Sequence, residues 1–243
     1  MQAVSGLFRL WLGVIRDAAR LFWLAPLIPL IAILPEFVQH VWEVNAGMFA
    51  SKAAFNAHAM DPERWQFGYF KIAGLVLSIL AAARFWAARR AGQSFFDPHA
   101  IAWKAFGVAL LINGVATALT YLAGQAVPAQ LKQATDLALM VVTLPLLPLL
   151  VAPLLGMGDF TLRRAYTAGW WIAPRTALVV AAWFAPLQWL HGFNHKLAMG
   201  QPDALVWALM VWDSLVVGLM ACVMGTGLHH GFTGKSSADE PEA

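Results

Sequence analysis

Glu36, His40 and Glu43 stand four and three residues apart in the stretch FWLAPLIPLIAILPEFVQHVWEV, residues 22–44. At about 100° per residue they fall within about 60° of one another on a helix, so they share one face. The stretch is long enough to cross a bilayer, which takes about 20 mostly apolar residues. Titratable groups near the end of such a helix need a wet or polar place to point. His191 and His195, at i and i+4, make a second polar face. Asn113, Thr117 and Thr120 make a third. Asp213 falls about ten residues inside an apolar run, near mid-membrane, where an unpaired carboxylate costs several kcal/mol. Its expected partners are Asn113, His40 and Arg84. If these faces meet, they line a polar cavity open to the outer side.

Imidazole and carboxylate together suit Zn, Fe or Mn, and inward-facing Glu and His on bundle helices are how such sites are built. Glu36, His40 and His191 could supply three metal ligands and leave a position for water, with Glu43 behind them as a base. The spacing Glu-x-x-x-His-x-x-Glu is not diagnostic, and charges at a water boundary would give the same residues. The sequence therefore requires no cofactor and admits a divalent metal as an alternative. Cys222 is the one cysteine, which excludes an internal disulfide and any cysteine-based zinc motif. No Gly-x-Ser-x-Gly, His-Glu-x-x-His or phosphate loop is present, so an enzyme is not the favoured reading.

The elements that must position these groups are membrane helices. Hydrophobic residues make up 60% of the 243 and charged ones only 12%, far from the balance of a soluble domain. The fold class expected is all-α and polytopic. One transmembrane domain, residues 1–230, would hold spans at about 22–44, 67–88, 103–124, 134–156, 174–194 and 204–228. Basic amphipathic helices would lie in the interface before the first and fifth spans. The first is about residues 4–21, where Arg9, Arg16 and Arg20 share a face opposite Leu7, Trp11, Val14 and Leu21. The second covers residues 159–171 and carries Arg163 and Arg164. Prolines 29, 35, 148 and 153 should remove backbone donors inside spans and kink them. Residues 231–243, GFTGKSSADEPEA, read as a disordered polar tail.

Lys and Arg cluster around residues 9–20, 84–90 and 163–175, which would share one side of a six-span topology. The positive-inside bias then places both termini in the cytoplasm. Phe22-Trp-Leu-Ala-Pro26 is echoed by Trp170-Trp-Ile-Ala-Pro174, each after a basic segment, as a parallel repeat would be. The amphipathic first helix, the proline-rich fourth span LPLLPLLVAPLL and the segment GMGDFTLRRAYTAGWWIAPRTAL give the chain an architecture that resembles the YciC-type proteins. These are uncharacterised six-helix proteins of the bacterial inner membrane. The resemblance implies that location and helix count, and it carries no activity and no functional residue.

The expected function is transport or lipid handling through the outward polar cavity, with a small molecule or lipid as ligand. One alternative is a non-catalytic membrane organiser, whose basic helices meet anionic lipid at the cytoplasmic face. The other is a membrane-embedded metal-dependent hydrolase. Nothing in the charge of +3 suggests nucleic acid, and no protein partner is indicated.

Overall fold

The computed structural model describes residues 2–95 and 97–237, and these are all-α with no strand among them. The helices are α1 (Gln2–Leu24), α2 (Leu27–Asn45), α3 (Lys52–His58), α4 (Pro62–Arg90), α5 (Trp103–Ala126), α6 (Ala129–Thr143), α7 (Leu146–Leu154), α8 (Leu162–Ala165), α9 (Gly169–Ala198) and α10 (Asp203–Thr233). Five stretches are long and apolar enough to span a membrane: α2, α4, α5, α6 with α7, and α10. The expected span at 174–194 lies within the 30-residue α9. That helix is long enough but not apolar enough to count with the five, because Gln188, His191 and Asn194 interrupt its C-terminal half.

The chain divides into two compact units. The first comprises residues 1–82, 180–226 and 236–243. Its organising element is α2, an inside-out amphipathic helix. Leu27, Leu30, Leu34 and Val38 are exposed, as lipid-facing residues would be. The buried stripe is Ile28, Pro29 and Ala32, followed by Glu36, Gln39, His40 and Glu43. Pro26 separates α2 from α1, whose buried side is Leu10, Val14, Ala18 and Leu21 while Arg9, Arg16 and Arg20 stay exposed. Pro35 has no N–H, so the carbonyl of Ile31 loses its donor one turn on. Gly74 of α4 closes on that point: a Cβ there would lie 2.5 Å from Ile31 O and 2.9 Å from Pro35 Cγ. Ser78, one turn further along α4, donates to Ile28 O at 2.8 Å. On the α10 side, a Cβ on Gly218 would lie 2.5 Å from Ile33 Cγ1. Two glycines thus let α4 and α10 grip α2 at backbone distance. After α2, Gly47 turns at φ 70° into a short 3-10 turn that buries Met48 and Phe49, and Ser51 caps α3.

The second unit comprises residues 83–179 and 227–235. Its core is Ala109 of α5, Leu146, Leu149, Val151 and Ala152 of α7, with Phe160, Ala165 and Phe232. The expected single span at 134–156 is broken at Leu144–Pro145, and Tyr166 Oη donates to the Val142 carbonyl near the break at 3.0 Å. Residues 159–171 form the four-residue α8 and the first three residues of α9 rather than one long amphipathic helix. Gly156 and Gly158 before it and Gly169 after it disfavour a longer one. Helix α10 runs to Thr233, three residues into the expected tail. Arg175 holds it there by donating to the carbonyls of Gly231 at 2.7 Å and Phe232 at 2.9 Å. Beyond it, back in the first unit, Ser237 donates from its N–H and Oγ to the buried carboxylate of Asp17, at 3.0 and 2.6 Å. The remainder of the expected tail, 238–243, lies outside the described residues.

Candidate functional site

The buried stripe of α2 ends in a polar cluster built wholly from the first unit. Glu36, His40 and Glu43 are all fully buried, as is Asp213 of α10. Helix α9 adds His191, Asn194 and His195, spaced to lie on one face. Helix α4 adds Arg64 and Lys71, two turns apart on the same side.

Asp213 is the centre. Its Oδ2 lies 2.7 Å from His191 Nδ1, 3.1 Å from His40 Nε2 and 3.2 Å from His195 Nε2. Its Oδ1 accepts from Asn194 Nδ2 at 2.8 Å. One carboxylate oxygen has two lone pairs in its plane, so three nitrogens around it are more than it can serve well. His40 also places Nδ1 2.8 Å from Glu43 Oε2 and Nε2 3.2 Å from Glu36 Oε1, so its ring reaches all three carboxylates. Arg64 Nε pairs with Glu43 Oε1 at 2.7 Å, where Gln39 also donates at 3.0 Å. Lys71 Nζ pairs with Glu36 Oε1 at 2.8 Å. Three carboxylates face the two permanent cations Arg64 and Lys71, and His40, with a carboxylate at each ring nitrogen, supplies a third positive charge when both nitrogens carry a proton. Glu36 Oε2 is buried with no hydrogen-bond partner among the described residues, and so is Gln39 Oε1. An orphaned carboxylate oxygen in this setting is costly and calls for an explanation.

Glu36, His191, His195 and Asp213 each offer one ligand atom, and the four atoms all lie within 4.8 Å of one another. His40, expected as a ligand, is outside that set because both its ring nitrogens already face carboxylates. His195 and Asp213 stand with Glu36 and His191 instead. His195 also packs edge-on against Phe55, with Phe49 tilted nearby, so apolar rings cover the cluster on that side.

The remaining expected cavity residues are elsewhere. Asn113, Thr117 and Thr120 belong to the second unit. Asn113 donates to the carbonyl of Ala109 at 2.9 Å, and Thr117 and Thr120 donate to carbonyls of their own helix. Such local bonds satisfy hydroxyl and amide groups without any partner helix. Asn113 and Arg84 thus bond within the second unit, Arg84 donating to Gln93 at 3.3 Å, while the partners of Asp213 among the described residues are His40, His191, Asn194 and His195 of the first. Arg64, Lys71, Gln39 and Asn194 escaped the sequence reading. A lone lysine four residues into an apolar span was the available signal for Lys71, since such a charge needs a counter-ion.

The fold and site define a class: a multi-pass α-helical membrane protein with a buried cluster of carboxylates, imidazoles and cations. Compared with protein-family models, curated proteins and solved structures, the chain matches none of them.

Proposed function

We propose that this protein transports a small cation across the membrane through the cluster around Asp213. The observation that carries the reading is a fully buried carboxylate within α10, met by three imidazoles whose protons it can exchange for a cation. Ionisable groups inside a membrane domain are expensive, and ion or proton pathways are where they are found. A route to the site is suggested by the graded exposure of its members. Lys71, Arg64 and His191 have side chains 22%, 17% and 15% exposed, against 0% for Asp213. An organising role would place its functional groups on the surface and would leave the cost of this interior unexplained.

In this reading α9 is a sixth span, both termini are cytoplasmic, and the membrane is the bacterial inner membrane. The exposed Arg9, Arg16 and Arg20 of α1 then meet anionic lipid at the cytoplasmic face. A metal-dependent hydrolase is the second reading. It is favoured by Glu43 behind His40, a pair that could move a proton beside the ligand set.

The test is cation flux into proteoliposomes followed with ion-sensitive dyes. Transport lost in Asp213→Asn, with the variant still folded, supports the proposal. Flux equal to wild type in that variant overturns it.

A further inference from the structure

The geometry points to one divalent first-row transition-metal ion, of the zinc, iron or manganese class, bound by Glu36, His191, His195 and Asp213. The inference rests on the proposal above and names the cation that the cluster takes.

Four features of the site argue for it. The four ligand atoms are already gathered within 4.8 Å. Ligands on a four-coordinate ion, at about 2.0–2.2 Å from the metal, sit about 3.3–3.6 Å apart, so closure needs side-chain shifts of about 1 Å. Each of the two carboxylates is fixed by one oxygen and leaves the other for the ion. Glu36 is held at Oε1 by Lys71 and His40, and its Oε2 is buried with no partner. Asp213 is held at Oδ1 by Asn194, and its Oδ2 faces the imidazoles. This is the outer support that metal-binding carboxylates need. Three carboxylates gathered in one buried cluster favour a cation over a neutral ligand. Finally, the donor types discriminate. Two imidazoles and two carboxylates suit zinc, iron and manganese. Calcium and magnesium prefer oxygen alone, and copper(I) prefers sulfur.

The cluster also holds two hydrogen-bonding mismatches. Asp213 Oδ2 has more nitrogens around it than it can accept from, while Glu36 Oε2 has none. An ion among the four would take a lone pair from each and resolve both mismatches.

The experiment uses full-length protein without a histidine tag, purified without chelators and equilibrated with zinc chloride. Metal content by mass spectrometry and affinity by calorimetry are compared for wild type, Glu36→Gln and Asp213→Asn. The amide variants keep the shape and remove the ligand charge. One zinc per chain in wild type and an affinity loss above about 100-fold in both variants, more than loss of a supporting contact gives, are expected. Asn113→Ala should bind as wild type does. Zinc-edge absorption spectra of wild type alone should show scattering from two imidazoles, which keeps the inference testable if a variant fails to fold. No stoichiometric zinc, undiminished binding in both variants, or a bound zinc without imidazole overturns it. Zinc bound in this way but not carried into proteoliposomes supports the inference and overturns the transport reading. Flux of another cation by protein that binds no zinc does the reverse.

Discussion

Lys71 Nζ lies 2.8 Å from Glu36 Oε1, a pair between α4 and α2 in which the carboxylate is wholly buried and the ammonium partly so. Removing one partner of such a pair leaves a charge that the interior cannot solvate. Lys71→Met should therefore destabilise the protein by about 3 kcal/mol, at the low end for buried pairs because water reaches the lysine. The double variant Lys71→Met with Glu36→Met should recover much of that loss. Thermal unfolding in detergent or nanodiscs reads both. Additive losses in the double variant would show that the pair is not coupled.

The two glycines that grip α2 should differ in their tolerance. A Cβ at Gly74 meets backbone, the Ile31 carbonyl at 2.5 Å, and backbone cannot step aside. A Cβ at Gly218 meets the Ile33 side chain at Cγ1, stiff at χ1 in a helix but still freer to shift than a backbone carbonyl. Gly74→Ala should cost about 2–3 kcal/mol and Gly218→Ala about 1 kcal/mol, within the usual range for overpacking. The order of the two melting temperatures is the check.

Asn194 and Asn113 make a matched pair of amides with opposite consequences. Asn194 orients Asp213, so Asn194→Ala should weaken zinc binding about 10-fold or more. Asn113 bonds its own helix and the Leu146 carbonyl, so Asn113→Ala should leave binding unchanged. Calorimetric titration of the two variants side by side decides this. A larger effect at Asn113 would mean the second unit contributes to the site.

Asp17 is buried in α1 and accepts both the N–H and the hydroxyl of Ser237, with Arg16 and Arg20 donating to that same hydroxyl at 3.2 and 3.3 Å. Asp17→Ala should cost about 1–3 kcal/mol through donors left without an acceptor. It should also expose the C-terminal segment to limited proteolysis. Unchanged cleavage rates would show that this contact does not restrain the tail.

Helix type, apolar character and the face shared by Glu36, His40 and Glu43 were legible from periodicity, because these are local properties of one strip of sequence. Asp213 was legible as a carboxylate inside an apolar run that needs partners, and it is buried among them. Which helix meets which was not legible. Depth suggested Asn113 for Asp213, whereas packing chose His191, Asn194 and His195. Gly74 and Gly218, whose missing side chains admit α4 and α10 close to α2, were no more legible as contacts. A glycine in an apolar run does not announce which neighbour it admits. Arg64 and Lys71 were not legible as site residues, since a sequence shows that a cation lies near a helix end but not that it turns inward.

The inside-out character of α2 also governs how the chain can be assembled. Alone in a bilayer, α2 would hold Glu36, His40 and Glu43 against hydrocarbon. The ribosome delivers α4 soon afterwards, and with it Lys71 and Arg64, the counter-ions of those two glutamates. Helices α9 and α10, with the remaining imidazoles and Asp213, emerge only after the whole of α5 to α8. The α2–α4 hairpin is thus the first charge-balanced piece to leave the translocon, and it holds half of the site in readiness for the rest.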